Sequence, residues 1–321
     1  MLIDTGAGRG SPTPLPASRS SARRWFPELS DNTVGFLFIA PFIVTGLFFM
    51  VYPVIEAVRM AFFSYNPLRP EVTRYVGLAN FQFILSDPLF WDAFLQGTVW
   101  TLLSILFQTL LGVSIALLLN RTLPGIAVFR GLLLFPYIVP TVVIALIWRW
   151  IFNPEIGVVN YALIATGLVD TPIYWLSTPD MAMASTILLN VWKYTPFVVI
   201  CVLARLQSVP QELYDAARVD GAGAFRRFLD VTLPQLREVL IVVVVFRTIW
   251  TFNKFEEIYL LTKGGPGTST FNLAVYSFEQ SIASLKLGVG AATGVVMMVM
   301  LLIGSIVYLR VSGFGREEAG A

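Results

Sequence analysis

Residues 32–55 contain no charged side chain, and an uncharged apolar run of that length has few places to go in a water-soluble protein. It exceeds the ~7–15 residues of a signal-peptide core and reaches the ~18 or more that let a helix cross a bilayer. Three further runs of the same kind follow at 93–120, 131–148 and 287–309. Two other stretches are apolar apart from isolated charges: 181–204 holds Lys193, and 239–261 holds Arg247, Lys254, Glu256 and Glu257. A charge at mid-bilayer costs about 2.5–3.5 kcal/mol on insertion scales, so these two segments are expected to turn their charges toward a polar path or a partner. Composition agrees, with 56% hydrophobic and 13% charged residues where a soluble domain carries about 25% charged. The expectation is an all-α integral membrane protein with six transmembrane helices, the first reaching about Phe63.

Charges are informative by position. Thirteen arginines fall in the N-terminal segment, the connections after spans 2 and 4, and the C-terminal end, among them Arg9, Arg121, Arg130, Arg205, Arg218, Arg226, Arg227, Arg237 and Arg316. The alternate connections hold Arg69, Arg74, Lys263 and Lys286, with no Lys or Arg over 153–180. The positive-inside rule then makes both termini cytoplasmic, a parity that six spans satisfy. Residues 1–31, rich in Ser, Pro, Gly and Arg, are expected to form a disordered cytoplasmic tail. Residues 32–311 form the six-span domain, and 312–321 a short cytoplasmic tail. Residues 77–85 read as an amphipathic turn or two on the membrane surface, and 153–169 as a short re-entrant or interfacial segment. No internal repeat is visible. The chain has no His and one Cys, Cys201, which excludes a His-ligated metal, a Ser-His-Asp triad and an intramolecular disulfide. A net charge of +2 gives no reason to invoke nucleic acid.

The connection over 208–234, SVPQELYDAARVDGAGAFRRFLDVTLP, is the most informative stretch. Ser208 and Gln211 have capping-box spacing, and Pro210 suits a first turn, so a helix is expected to begin here. Gly221 after Asp220 supplies a stop or bend, and a second amphipathic piece with Phe225, Phe228 and Leu229 runs to Pro234. Ala216, Ala217, Ala222, Gly223 and Ala224 keep the bend small-surfaced. Asp215 is expected to pair with Arg218 one turn on.

This segment resembles the cytoplasmic loop of the permease subunits of ABC importers, which runs EAA, three residues, Gly, nine residues, Ile, then Leu-Pro. Asp215-Ala216-Ala217 stands for EAA with a shorter acid, Gly221 follows after three residues, Val231 stands where Ile is common, and Leu233-Pro234 closes the pattern. The resemblance extends from about Val34 through the last span and is nearest to the carbohydrate-uptake branch. It is carried there by Gly77-Leu78-Ala79-Asn80-Phe81, by Arg130 with Leu134-Phe135-Pro136-Tyr137, by Asn190-Val191-Trp192 and by Leu261-Thr262-Lys263-Gly264-Gly265-Pro266. It implies the type I importer permease fold, placed as a multi-pass protein of a bacterial or archaeal inner membrane. It also implies an assembly with a second, different permease, two copies of an ATPase and an extracytoplasmic solute-binding protein. Residues Asp215, Ala216, Ala217, Asp220, Gly221, Ala222, Leu233 and Pro234 would couple to the ATPase, which would bind ATP and Mg. This chain has no GxxxxGK[ST] loop of its own, so no enzyme activity and no cofactor are expected in it.

Sugar recognition combines aromatic faces with hydrogen-bonding groups in a mostly apolar cavity. Asn190, Lys193, Tyr194 and Phe197 share one helical face, and Arg247, Trp250, Thr251 and Lys254 repeat the same spacing on the next apolar helix. In maltose-type members the site lies at corresponding places, so these eight are the expected substrate path. The competing reading is structural: Trp250 and Phe197 pack, and the cations pair with Glu256, Glu257 or a partner chain. The sequence leaves open which sugar or polyol is carried and whether it is anionic. A secondary carrier or channel is the rival class, although such a protein needs no small-residue docking loop.

Overall fold

All six apolar stretches are helical, and where the helices break, a proline or a polar side chain stands at the break. The computed structural model describes residues 30–121 and 124–314, so most of the expected N-terminal tail and of the C-terminal tail lies outside the described residues. The chain divides into two units, residues 1–53 and 54–321. In the first, Ser30 caps α1 (Asp31–Gly46) by accepting a bond from the Thr33 N–H, and a π turn over Leu47–Val51 follows. No side chain in the most apolar stretch of the continuous helical run Gly35–Met60 is buried.

α2 (Tyr52–Met60) carries the chain into the second unit, where a two-residue hairpin pairs β1 (Phe63–Ser64) with β2 (Arg74–Tyr75). Arg59 meets Glu56 at 2.8 Å, a local ion pair. α3 (Ala79–Ser86) occupies the stretch expected to lie on the membrane surface, and one side of it belongs to the core: Asn80 and Ile84 are buried, and the Asn80 amide donates to the carbonyls of Ala61 and Phe63. α4 (Pro88–Leu119) begins at an Asp87 cap, and α8 (Pro179–Ser208) runs through Pro196. These two long helices pack tightly because Gly112 presents no side chain to Val198; a Cβ there would sit 2.5 Å from the valine methyl. Between lipid-immersed helices, where no hydrophobic force drives association, such close approach is a main source of attraction.

The third span departs from expectation. It is two helices, α5 (Ile126–Ile138) and α6 (Thr141–Ile151), bent by 95°. Pro140 has no N–H to give and forces Val139 into an extended conformation, which ends α5. α7 (Val158–Ala165) then forms the short segment after it, pinned by buried Asn160, which bonds to Pro154, Ile173 and Trp175.

The fifth span is also shorter than expected: α11 (Leu233–Phe252) stops at Phe252, and α12 (Glu256–Leu261) follows a break at Asn253–Phe255. The carbonyl freed at Lys254 takes a 2.7 Å bond from the Asn272 amide, and Asn272 also caps α13 (Leu273–Phe278). α14 (Leu287–Ser312) is the last span. Among the described residues four helices are long and apolar enough to cross a membrane alone, or five if the bent pair counts as one span.

Among the described residues three apolar clusters hold the second unit, the smallest made of Ile144, Leu189 and Leu261; the two larger ones carry most of the packing. One gathers Phe90, Trp100, Ile258, Leu273 and Tyr276 from α4, α12 and α13; the other packs Ala116, Val198, Val202 and Leu236 from α4, α8 and α11.

Candidate functional site

The residues expected on the substrate path fall into one place. Asn190 and Tyr194 on α8, Arg247 and Thr251 on α11, and Lys254 in the break after it join a continuous hydrogen-bonded network inside the second unit. Its backbone is directional. Arg247 Nε donates to Gln108 Oε1 at 2.8 Å, Gln108 Nε2 donates to Asn190 Oδ1 at 2.6 Å, and the Asn190 amide donates to Glu257 Oε2. Both amides therefore use one end as acceptor and the other as donor, and the relay runs from a guanidinium to a carboxylate. Bonds aligned in that way polarise one another, and each removes a polar group from an otherwise apolar interior.

The other Glu257 oxygen accepts from the Tyr194 hydroxyl at 2.6 Å, and that hydroxyl accepts from Lys254 Nζ at 2.6 Å. Lys254 also lies 3.8 Å from Glu257. The Arg247 guanidinium sits 4.3 Å from the centre of the Tyr194 ring, a cation–π distance, and bonds Thr251 at 3.1 Å. Arg247, Asn190, Thr251 and Glu257 are all at or below 1% exposure, whereas Lys254 keeps a quarter of its side chain open.

Lys193 is used differently. Its ammonium donates at 2.9 Å to the carbonyl of Val139, the extended residue that ends α5 at the bend of the third span. The lysine thus bridges α8 to the bend, and its charge stands near the Tyr194 ring, 5.6 Å from the centre. Phe197 and Trp250 lie outside the polar network but continue it as an aromatic wall: Phe197 stacks on Tyr137 at 6.3 Å and meets Trp250 edge-on at 5.4 Å. Trp250 is 43% exposed, so the wall opens outward.

Three members of the site escaped the sequence reading. Glu257 appears there only as a partner for cations, although it is the hub. Gln108 is uncharged and sits within the uncharged run 93–120, where only its polar amide sets it apart from its neighbours. Tyr137 gave no signal beyond its place after Pro136.

The 208–234 loop has its expected bend by a different local route. α8 continues to Ser208, whose hydroxyl turns back to the Arg205 carbonyl, so the capping box with Gln211 does not form; α9 (Gln211–Val219) starts behind Pro210 without a side-chain cap. Gly221 has φ +75°, and the N–H groups of Gly221 and Ala222 bond to the carbonyls of Arg218 and Ala217, the paired bonds of a Schellman stop. Asp215 meets Arg218 at 2.7 Å, both more than half exposed. α10 (Ala224–Arg227) then flows through a π turn over Phe228–Thr232 straight into α11. Leu233 and Pro234 are therefore the first turn of a long helix rather than the end of a separate piece.

With this geometry in hand, the chain can be set beside known proteins. Residues 108–312 match the family described as binding-protein-dependent transport system inner membrane component. The chain is 37% identical over 287 residues to the trehalose/maltose transport system permease protein of Thermococcus litoralis, covering 89% of this chain and 96% of that one. It is 36% identical over 288 residues to the sulfoquinovosyl glycerol transport system permease protein of Agrobacterium fabrum, covering 90% and 92%. Its fold is that of a chain of a bacterial ABC transporter involved in the import of the acidic polysaccharide alginate, with a TM-score of 0.76 at 24% identity over 87% of this chain and 94% of that one. These matches decide against the rival class of secondary carriers and channels. The chain belongs to the family of inner-membrane components of binding-protein-dependent transport systems.

Proposed function

We propose that this chain is the permease subunit of an ATP-driven importer for a carbohydrate: a di- or oligosaccharide, or a related polyol or glycerol phosphate. The observation that carries the reading is the network from Arg247 to Lys254 with the Phe197–Trp250 pair at its open edge. Amide, phenol, carboxylate and ammonium groups beside aromatic faces are what a sugar's hydroxyls and apolar ring face require. The solutes in the names of the two relatives, trehalose or maltose and sulfoquinovosyl glycerol, support the same class.

In this reading Asn190, Tyr194, Phe197, Arg247, Trp250, Thr251 and Lys254 shape the path, and Lys193 holds its wall by tying α8 to the bend at Val139. Asp215, Ala216, Ala217, Asp220, Gly221, Ala222, Leu233 and Pro234 dock on an ATPase that binds ATP and Mg. Movement of α9 then passes to the path, because α10, the π turn and α11 form one helical run that ends at Thr251 and Phe252. A second permease, two ATPase copies and an extracytoplasmic solute-binding protein complete the assembly, with both termini of this chain on the ATPase side.

The test is uptake by the reconstituted complex. Trp250→Ala and Lys254→Ala each remove one contact of about 1–2 kcal/mol, so uptake is expected to fall roughly tenfold while the complex still purifies whole. Wild-type rate and selectivity in both variants would place the path elsewhere.

A further inference from the structure

On the face of α8 turned away from the polar network, α4, α5 and α8 enclose two adjoining hollows. One, of about 520 Å³, is walled by side chains that include Leu111, Leu132, Leu188, Trp192 and Pro196. The other, of about 250 Å³, lies toward the α4–α5 connection between Arg130, Leu203 and Gln207. Leu119 and Leu133 line both, so they form one groove. Among the described residues no acidic side chain lines it, and its polar groups sit at one end except for Thr195.

Arg130 at that end is half-satisfied. Its Nη2 donates to the Leu119 carbonyl at 2.8 Å, whereas its Nε is buried with no hydrogen-bond partner. A guanidinium donor left unpaired against apolar walls is costly, and the described residues supply no acceptor for it. From Gln207 to Thr195 α8 climbs about 18 Å at about 1.5 Å per residue, close to one leaflet of a ~30 Å hydrocarbon core. A cation at the end of an apolar slot about one leaflet long has the shape and charge of an anionic phospholipid in reverse.

We propose that this groove is a binding site for one anionic phospholipid of the leaflet at the Arg130 end. Its phosphate accepts from the Arg130 guanidinium, and an acyl chain runs between α5 and α8 toward Trp192 and Pro196. The lipid would fill the space between the first half of the bent span and the helix that carries Asn190 and Tyr194, so it would set the separation of two walls of the path. The inference does not depend on the nature of the transported solute.

The experiment uses the whole complex, with a benzophenone amino acid in place of Leu132, in nanodiscs of phosphatidylcholine with and without phosphatidylglycerol. Irradiation is expected to yield an adduct of phospholipid mass, favouring phosphatidylglycerol when both lipids are present. In the unlabelled complex Arg130→Gln is expected to weaken retention of phosphatidylglycerol about tenfold through detergent purification, with phosphatidylcholine unaffected. A cross-link from position 132 to another protein chain would overturn the proposal, because a subunit then fills the groove. Equal phosphatidylglycerol retention by wild type and Arg130→Gln would overturn it too. If Arg130→Gln fails to assemble, the adduct in the Arg130 background decides alone, and its absence or indifference to headgroup charge counts against the site.

Discussion

Glu257 is the carboxylate on which Asn190 and Tyr194 converge, with Lys254 at 3.8 Å and two further cations, Arg247 and Lys193, within the same cluster. Glu257→Gln keeps the shape but replaces an acceptor by an amide that must present N–H groups to donors. Interhelical bonds in lipid average about 0.6 kcal/mol and reach about 2, and loss of a buried counter-charge costs more, about 3–5 kcal/mol. The variant is expected to lower the unfolding midpoint of the purified complex by several degrees and to abolish uptake. Adding Lys254→Gln is expected to recover much of the stability but not the uptake, a coupling that a double-mutant cycle measures. An additive cycle would show that the pair does not interact. At this scale the sequence announces the ionised residues, because charge in an apolar run is conspicuous. It does not announce Gln108, whose importance comes only from having Arg247 on one side and Asn190 on the other. Nor does it show that Lys193 serves a backbone carbonyl, since that bond exists only once Pro140 has broken the third span.

Among elements, the bend at Gly221 separates two explanations that share a glycine. Nothing among the described residues lies within 4 Å of a Cβ built at Gly221, so a side chain there meets no steric wall from them; its φ of +75° is what L-residues resist. The left-handed conformation costs a β-branched residue at least about 1–2 kcal/mol, and asparagine much less. Gly221→Val is therefore expected to insert normally but to lose ATPase subunits on purification or to hydrolyse ATP without transport, whereas Gly221→Asn retains both. Subunit stoichiometry and uptake on the same preparations check this, and failure of both variants alike would mean that the docked partner needs the absence of a side chain. Spans 1, 2, 4 and 6 could be read from hydropathy because it sums composition along a helix. The same sum is blind to direction: the run 131–148 stays apolar across Pro140 while the axis turns by 95°, and 239–261 stays mostly apolar across a break whose carbonyl needs Asn272 from a later segment. Ser208 and Gln211 had the right spacing for a cap but not the right neighbour, since α8 had not yet ended.

For the molecule as a whole, the arginine bias predicts which ends of the helices share a side. In a background lacking Cys201, cysteines at Gly223 are expected to be protected from an impermeant thiol reagent in sealed cells, and cysteines at Asp170 and Thr268 to react. Outside access at Gly223 would remove the loop from the ATPase side. The long-range bonds of the network have a consequence for how the protein is made. Gln108 precedes Arg247 by 139 residues, and Asn190 precedes Glu257 by 67. At a synthesis rate of about 5–20 residues per second, Gln108 is in place on the order of ten seconds before its cationic partner exists. Throughout that interval the half-built chain holds an amide at membrane depth without its partner, so the insertion machinery or trapped water has to shelter it. α12, by delivering Glu257, then completes the network, and a chain interrupted before it leaves the Asn190 amide and the Tyr194 hydroxyl without the carboxylate that accepts from both.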